Sequence, residues 1–263
     1  MNGGRFLIIG SGERMSSCAD TLADKGFSVG IISSASAYIN GWDHIILPLP
    51  TLSGGLICGT DIPLTRVLSG LGGARLFYGN APESSMPENA VSYCAAKRFL
   101  DINSDLTARG VILTAGENDI SLDGGSVAVI GYGSCGRAIC RELKSFTNDI
   151  TVYARSPGAA QAARKPGCRS GDFAQLEAAL KKHDVIINTV PAHILDRAVR
   201  GFGKNNAYIE IASEPFGFDA SVTDTSGFKY IKAPGLPGKY FPRESGALIA
   251  DTVLELIGEG KNE

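Results

Sequence analysis

The sequence predicts an α/β protein made of two doubly wound parallel-sheet domains. Short apolar runs alternate with helical stretches along nearly the whole chain, a pattern typical of βαβ units. Glycine contributes 33 of the 263 residues, well above its usual share of about 7%. Much of this glycine follows apolar runs, where nucleotide-binding proteins of this class use it to turn the chain. A second series of units begins near Ser126.

The first predicted domain covers residues 1–102. Helices are predicted over Ser16–Lys25, which Gly26 ends, and over Asp61–Leu71. The order of the elements is typical of a flavodoxin-like or half-Rossmann unit. The predicted strands are the apolar runs Arg5–Ile9, Phe27–Ile32, His44–Leu49, Arg75–Tyr78 and Val91–Ala95.

The second predicted domain covers residues 103–263 and begins with a linking helix in the region Ala95–Asp123. Helices are also predicted over Gly136–Phe146, Gln175–Lys182 and Ser245–Ile257. We expect the last of these to return to the N-terminal domain. The predicted strands are Ser126–Ile130, Ile150–Ala154, Asp184–Thr189, Ala207–Ala212 and Lys229–Lys232.

Charge and hydropathy exclude several classes of protein. Lysine and arginine total 25 and the acidic residues 27, for a net charge of −2. A nucleic-acid binder or a protein of anionic membranes normally has a basic excess, so neither is expected. No stretch approaches the roughly 18 consecutive apolar residues of a membrane span. The N-terminal residues also lack the pattern of a signal peptide.

The cysteine pattern argues against a metal site. Six cysteines are scattered without a Cys-x-x-Cys pair, and only three histidines accompany them. A disulfide framework is equally disfavoured by this spacing. We therefore expect a cytoplasmic protein with reduced thiols and no bound metal.

The strongest motif is a Gly-x-Gly-x-x-Gly turn between a predicted strand and a predicted helix. In such turns the first glycine permits the sharp bend, the second lets a pyrophosphate approach, and the third lets the helix pack closely. The helix N-terminus favours the phosphates. The motif predicts an NAD(P)-binding Rossmann domain beside the flavodoxin-like one. Its candidate cofactor-binding residues are Gly131, Tyr132, Gly133, Ser134, Cys135 and Gly136.

The next predicted strand indicates which dinucleotide is bound. A site that prefers NAD has an acid about 20 residues after the glycines, for the ribose 2′-hydroxyl. This chain has Arg155 and Ser156 there, which suit a 2′-phosphate and predict NADP. A solvated surface charge is the alternative for Arg155. Further cofactor contacts are expected at Thr189, Val190 and Pro191, where a strand ends, and at Pro234.

Three stretches together resemble the family of the dipicolinate synthase A subunits. Ala-Pro-Gly-Leu-Pro-Gly at 233–238 follows Ile-Ala-Ser-x-Pro at 211–215, and the segment 103–110 is similar to the family's Asn-Ser-x-Pro-Thr-x-Glu-Gly. The chain departs from the family in its glycine turn, where Ser134 and Cys135 replace Arg and Thr. It also has Leu106 in place of the proline and Arg109 in place of the acid of that segment.

The resemblance implies an oxidoreductase of dipicolinate biosynthesis during sporulation, in the cytoplasm of the mother cell. The implied substrate is a small cyclic dicarboxylate, a dihydro- or hydroxytetrahydrodipicolinate. The implied partner is the dipicolinate synthase B subunit, and a homodimer is also possible. Candidate substrate-binding residues are Asn103 and Thr107 in the family-like segment, and Thr51 and Ser53 in the loop after a strand of the first domain.

Three residues are candidates for catalysis, because hydride transfer needs an acid or base near the nicotinamide. Lys239 lies in a loop framed by glycine and proline, and is either a carboxylate partner and proton donor or a solvated lysine. Arg109 could hold a dicarboxylate or form a surface ion pair. His193 follows Pro191 closely, near the expected nicotinamide.

Two other functions stay open on the sequence. The chain could be an NADP-dependent dehydrogenase of another small acid. It could also be a non-catalytic nucleotide-binding regulatory subunit, which the altered residues Ser134, Cys135 and Arg109 allow. Cofactor binding without turnover would distinguish the regulatory subunit from both enzymes.

Overall fold

The computed structural model describes residues 4–195, 203–219 and 227–259, and the chain divides into two compact units. Unit 1 comprises Met1–Asn103 and Phe241–Glu263, and unit 2 comprises Ser104–Tyr240. The boundary predicted from the sequence lies one residue earlier, and the last helix is predicted as part of the second domain. In the structure the residues of that helix group with the N-terminal unit.

In the described part of the chain, the elements up to the division between the units are seven strands and three α-helices. In chain order they are β1 (Arg5–Ile9), α1 (Glu13–Asp24), β2 (Ser28–Ile32), β3 (His44–Ile46), β4 (Leu52–Ser53), β5 (Leu56–Ile57), α2 (Leu64–Ser69), β6 (Arg75–Tyr78), β7 (Val91–Ser92) and α3 (Lys97–Glu117). The division between the units falls inside α3. This helix fills most of the predicted linking region.

The remaining elements form unit 2 and the C-terminal helix. They are β8 (Val127–Ile130), α4 (Ser134–Leu143), β9 (Ile150–Tyr153), α5 (Pro157–Arg164), β10 (Arg169–Gly171), α6 (Leu176–Leu180), β11 (Val185–Asn188), β12 (Ala207–Glu210), β13 (Lys229–Lys232), α7 (Leu236–Tyr240) and α8 (Pro242–Glu259). Among the described residues no helix is long and apolar enough to cross a lipid bilayer.

Unit 1 contains a parallel sheet of five strands in the order β2-β1-β3-β6-β7. This is the flavodoxin-like order, so the predicted class of the first domain is confirmed. Phe6, Leu7, Ile8 and Ile9 of β1 are all buried, because both faces of a central parallel strand are covered. A separate two-stranded antiparallel hairpin, β4 with β5, lies in the segment predicted as a loop.

Helix α8 packs against α1 within unit 1, and a glycine permits the close approach. A Cβ on Gly246 would lie 2.2 Å from the Arg14 carbonyl oxygen and 2.8 Å from Ser17 Cβ. Ser17 Oγ donates a hydrogen bond to the Arg243 carbonyl at 2.9 Å, and Arg243 forms an ion pair with Glu13. These contacts explain why the C-terminal helix groups with the N-terminal elements.

Unit 2 contains a parallel sheet of six strands in the order β10-β9-β8-β11-β12-β13. This is the strand order of a Rossmann domain, and it confirms the predicted fold class. Every residue of β8, β9, β11 and β12 is buried. Strands covered on both faces have continuous apolar runs, which is why the sequence identified these four so readily.

Some elements differ from the sequence-based predictions. The predicted strand Val91–Ala95 ends at Ser92, because the chain turns at Tyr93. The ring of Tyr93 is buried, and its hydroxyl donates to the Leu47 carbonyl at 3.0 Å. The predicted helix Asp61–Leu71 begins only after Pro63. Helix α5 and strand β10 were missed, since β10 is a short polar edge strand that depends on pairing with β9.

A buried histidine connects three strands of unit 2. Its ring nitrogens Nδ1 and Nε2 lie 2.8 Å from Ser126 Oγ and 2.8 Å from the Tyr153 hydroxyl. Its backbone carbonyl accepts a hydrogen bond from Asn206 Nδ2 at 2.7 Å. This residue, His183, precedes β11, while Ser126 precedes β8 and Tyr153 ends β9. His183 therefore has a structural role in unit 2.

The stability of the protein should therefore depend on the protonation of His183. Burial lowers its pKa below the ordinary value of 6.5, so the folded state favours the neutral ring. This stabilisation is complete above the unfolded-state pKa and is lost as the pH falls from there towards the folded-state pKa. We expect the free energy of unfolding, measured in urea, to fall between about pH 7.5 and about pH 5.5, and His183→Gln to flatten that dependence.

The matched control is His193→Gln, which removes an exposed histidine. This variant should keep the pH dependence of the wild-type protein. An unchanged pH dependence in His183→Gln would contradict the neutral buried ring.

Candidate functional site

The turn between β8 and α4 accepts only glycine at two positions. Gly131 has a φ of 95°, and a Cβ there would lie 2.4 Å from Thr189 Oγ1. A Cβ on Gly136 would lie 2.3 Å from the Gly131 carbonyl oxygen. The first glycine thus permits the bend and the approach of β11, and the third lets α4 start against the turn, as expected from the motif.

The middle glycine has a different environment. Gly133 has an ordinary extended backbone, with φ −73° and ψ −164°, and a Cβ there would meet no atom within 4 Å. The protein itself therefore does not require glycine at this position. The open space suits the close approach of a pyrophosphate. Helix α4 has no side chain capping its N-terminus, so its first N–H groups are available to phosphate oxygens.

A guanidinium that the sequence analysis did not select lies at the same turn. Arg137 is exposed, and its Nη2 lies 3.3 Å from Ser134 Oγ while Nη1 lies 3.4 Å from the Tyr132 carbonyl oxygen. Its position one helical turn after Ser134 was the available signal. An arginine here can pair with phosphate, although the turn has serine where the resembling family has arginine.

Helix α3 supports the start of α4. The side chain of Cys135 is half-buried, and its Sγ lies 3.7 Å from Ser104 Oγ. An ion pair between Arg141 and Asp105 joins the same two helices. The Cys135 side chain thus packs against α3, and its backbone N–H lies in the first turn of α4.

On one side of the turn, β9 is followed by the cation Arg155 and by Ser156, the N-cap of α5. Arg155 is exposed, and Ser156 Oγ accepts a hydrogen bond from the Ala159 N–H at 3.0 Å. Ser156 therefore begins α5, and its hydroxyl is already used as the N-cap. The Ser156 hydroxyl can still donate its own hydrogen to an anion, so its predicted contact with the 2′-phosphate stays a prediction. Residues 154–160 contain no acid that would repel a 2′-phosphate.

On the other side, the ends of β11 and β12 share a buried polar pair. Asn188 Nδ2 donates to Glu210 Oε1 at 2.9 Å and to the Val190 carbonyl at 3.0 Å. Glu210 also accepts hydrogen bonds from the Gly217 N–H at 2.7 Å and the Ala212 N–H at 3.1 Å. Burial raises the pKa of Glu210, and the hydrogen bonds from Gly217, Asn188 and Ala212 oppose that shift.

Glu210 was not identified from the sequence. The available signal was an acid inside an otherwise apolar strand, since a buried carboxylate requires hydrogen-bond partners. With Asn188 it holds the loops that follow β11 and β12. The pair therefore fixes the position of these two loops at the carboxyl edge of the sheet.

The loop after β11 brings several predicted residues to the carboxyl edge of the sheet. Thr189 Oγ1 donates to the Ile130 carbonyl at 2.8 Å, so this side chain braces the turn. Val190 is half-buried, and Pro191 and His193 are exposed. The N–H groups of the two residues after His193 both donate to the Gly217 carbonyl, at 2.9 and 3.0 Å. The loop that carries His193 is thus held against the residues that follow β12.

Lys239 does not lie beside the glycine turn. It belongs to helix α7 rather than to a loop, and its Nζ donates to Glu117 Oε2 at 2.8 Å and to the Tyr240 hydroxyl at 2.7 Å. The Glu117 carboxylate raises the pKa of Lys239, so its ammonium stays charged. Glu117 ends α3, and the part of that helix between Ser104 and Glu117 spans roughly 20 Å. The predicted catalytic position of Lys239 is therefore corrected.

The other predicted residues lie in different places. Arg109 is exposed on α3 and Pro234 follows the edge strand β13, while Thr107 is buried and Asn103 half-buried on α3. Thr51 is buried, donates to the Pro48 carbonyl at 2.9 Å and accepts from the Gly79 N–H at 2.9 Å. Its hydroxyl therefore has a structural role in place of the predicted one in substrate binding. Ser53 is exposed on β4.

Comparison with known proteins agrees with this geometry. Residues 91–199 match the model of the NAD-binding domain of D-isomer specific 2-hydroxyacid dehydrogenases. The matched segment contains the glycine turn and the strand that follows it. Unit 2 thus carries a dehydrogenase-type domain for a nicotinamide dinucleotide.

A curated relative extends the comparison. The A subunit of dipicolinate synthase from Bacillus subtilis (strain 168) is 31% identical over 159 residues, which are 60% of this chain and 54% of that protein. The chain resembles the dipicolinate synthase A subunit. The resemblance stated from the sequence motifs is thereby confirmed, although the aligned segment spans only about half of the relative's length.

Solved structures agree on the fold. The dipicolinate synthase A subunit of Bacillus halodurans has a TM-score of 0.83 at 22% identity, covering 97% of this chain and 98% of that one. A D-lactate dehydrogenase of Salmonella has a TM-score of 0.61 at 14% identity, covering 96% of this chain and 95% of that one. Identities this low establish the fold alone.

Two glycine substitutions should separate folding from ligand binding. In Gly131→Ala the added methyl group would clash with Thr189, and alanine rarely adopts the positive φ of this position. We expect this substitution to lower the free energy of unfolding by about 2–3 kcal/mol or more. Gly133→Ala fits the structure and should change that free energy by less than about 1 kcal/mol. It should nevertheless weaken dinucleotide binding, because the methyl group enters the space for the pyrophosphate.

Urea unfolding and a fluorescence titration with NADPH measure the two effects. Gly116→Ala, on α3 with no atom within 4 Å of its added Cβ, serves as the control. Unchanged NADPH affinity in Gly133→Ala would show that the ligand does not approach this turn.

Proposed function

We propose that the chain is an NADP-dependent oxidoreductase that acts on a small cyclic dicarboxylate in dipicolinate formation. The observation that carries the proposal is the open glycine turn at Gly133 next to a strand end that presents Arg155 and no acid. A nicotinamide dinucleotide fits this arrangement. The resemblance to the dipicolinate synthase A subunit supports the substrate class, a dihydro- or hydroxytetrahydrodipicolinate.

The preference for NADP rests on the charges after β9. The strand order places β9 directly beside β8, so the adenosine half of a dinucleotide bound at the glycine turn extends towards Arg155. An exposed guanidinium pairs well with a 2′-phosphate. Arg155 also stands at the start of α5, whose positive end favours an anion.

The nicotinamide half would extend over β11, on the other side of β8. Bound there, the nicotinamide accepts or donates a hydride. The exposed His193 is held on this side and is the group proposed to take up or release the accompanying proton at a ring nitrogen. Arg109, exposed on α3, is proposed to bind a substrate carboxylate. The Asn188–Glu210 pair holds the loop that carries His193.

The biological setting is proposed on the same resemblance. The name of the relative marks it as one of several subunits, so the dipicolinate synthase B subunit is the expected partner. The pathway would then be dipicolinate synthesis during sporulation in the cytoplasm. A homodimer of this chain is a further expectation.

A second candidate function follows from the domain that residues 91–199 match. A 2-hydroxyacid dehydrogenase would use the same turn and the same hydride chemistry on a small 2-hydroxy acid. Following NADP(H) absorbance with dihydrodipicolinate and with 2-hydroxy acids, each with and without the B subunit, distinguishes the two. Turnover of the cyclic dicarboxylate is the expected result, and turnover of 2-hydroxy acids alone would replace it with the second function. NADPH binding without any turnover would indicate a regulatory role.

The role of Arg155 gives a direct prediction. We expect the purified chain to bind NADPH about tenfold more tightly than NADH, and Arg155→Ala to remove most of that preference, about 1.4 kcal/mol. NADH affinity should hardly change, because NADH lacks the 2′-phosphate. Parallel equilibrium titrations with both dinucleotides measure the difference.

The control is Arg164→Ala, which removes an exposed arginine from the last turn of α5, the helix that follows Arg155. It should leave both affinities as they are. Equal loss of NADPH affinity in the two variants would mean that general positive charge, and not Arg155, binds the phosphate.

A further inference from the structure

The sheet of unit 1 has a topological switch point of its own. β2 lies on one side of β1 and β3 on the other, so the order in which strands are added to the sheet reverses between β1 and β3. In open parallel sheets, ligands bind outside the carboxyl ends of the strands at this point. The turn Gly10–Gly12 follows β1, and the loop Leu47–Thr51 follows β3.

An arginine bridges the two loops at this switch point. Arg14 is the second residue of α1, and its Nη1 donates a hydrogen bond to the Leu49 carbonyl oxygen at 2.7 Å. Its backbone is held by α8, since Gly246 packs directly against the Arg14 carbonyl. The guanidinium is therefore kept in place between the ends of β1 and β3.

The charge of Arg14 has no counter-ion within the described part of the chain. None of the ion pairs among these residues includes Arg14. Tyr93 and Cys94 interact electrostatically with this charge, and burial raises the pKa of both, so both are neutral at neutral pH. Burial lowers the pKa of Arg14, which reflects a cation that has lost part of its water.

The guanidinium also has unused donors. Nε is buried and has no hydrogen-bond partner. Nη2 is not among the buried atoms and has no hydrogen bond with any described residue, so it remains open to a ligand while Nη1 is held by Leu49. A half-buried cation with free donors and no counter-ion is a strong partner for a carboxylate, because the surroundings screen the attraction less than bulk water does.

The neighbouring loops are braced in the same region. Ser11 Oγ donates to the Gly59 carbonyl at 2.7 Å, and the Tyr93 hydroxyl donates to the Leu47 carbonyl at 3.0 Å. Both contacts join loops at the carboxyl edge of the sheet. A ligand anion at Arg14 would thus meet a preorganised surface.

We propose that Arg14 anchors a carboxylate group of the substrate at the switch point of unit 1. This inference rests on the proposed function, which supplies a small cyclic dicarboxylate as the ligand. It assigns substrate binding in unit 1 to a cation that the sequence analysis did not select. Thr51, predicted from the same loop, has a hydroxyl that already donates to the Pro48 carbonyl and accepts from the Gly79 N–H.

Isothermal titration of the full chain with pyridine-2,6-dicarboxylate tests the proposal. Arg14→Gln keeps a donor for the Leu49 carbonyl but removes the charge, and we expect it to weaken binding by about tenfold to a hundredfold. Arg14→Lys, which keeps the charge, should recover part of that loss. Arg66→Gln is the control, because Arg66 is an exposed arginine of unit 1 that also donates to a backbone carbonyl.

Two further probes define the ligand chemistry. Pyridine-2,6-dicarboxamide has the same ring without the charges and should not bind, and inorganic phosphate should bind more weakly than the dicarboxylate. Dicarboxylate binding that is equal in wild type and Arg14→Gln would overturn the proposal, as would phosphate binding without dicarboxylate binding. Thermal midpoints of all variants show whether the fold is retained.

A parallel NADPH titration separates this inference from the proposed function. If the dicarboxylate binds through Arg14 and NADPH does not bind, the anion site stands and the oxidoreductase function fails. If NADPH binds and the dicarboxylate does not, the cofactor site stands and the Arg14 site is rejected.

Discussion

The close approach of two strand ends at Gly131 is the constraint on which the rest of unit 2 depends. The backbone there bends at a positive φ, and Thr189 of the next strand's loop occupies the space that a side chain would need. The same bend aims the start of α4 at Gly133, where open space remains. One conformational requirement thus places a helix N-terminus, an open approach path and the loop after β11 at the same edge of the sheet.

Buried polar groups hold the sheet of unit 2 around this turn. Asn188 and Glu210 bind the loops that follow β11 and β12, while His183 connects residues before β8 and β11 to Tyr153. Each of these groups lost its water on folding and has regained hydrogen bonds within the protein. The network resists movement because every displacement would leave a buried donor or acceptor without a partner.

Each unit presents cations at the carboxyl edge of its own sheet. In unit 2, Arg137 and Arg155 are exposed near the glycine turn. In unit 1, Arg14 stands between the ends of β1 and β3. The net charge of −2 conceals this arrangement, since composition gives only the sum of the charges. A protein that binds a dinucleotide and a dicarboxylate needs local positive charge and has no need of a basic chain.

The sequence alone predicted the fold class, the glycine turn and the strand that precedes Arg155, because backbone bends and buried apolar runs are local properties. It overlooked β10, which forms only by pairing with β9, and Glu210, whose partners are brought together by folding. It also misplaced Lys239, since the pairing with Glu117 joins residues far apart in the chain. Folding sets which charged side chains meet a counter-ion and which, like Arg14, have none among the described residues, because that depends on contacts between distant segments.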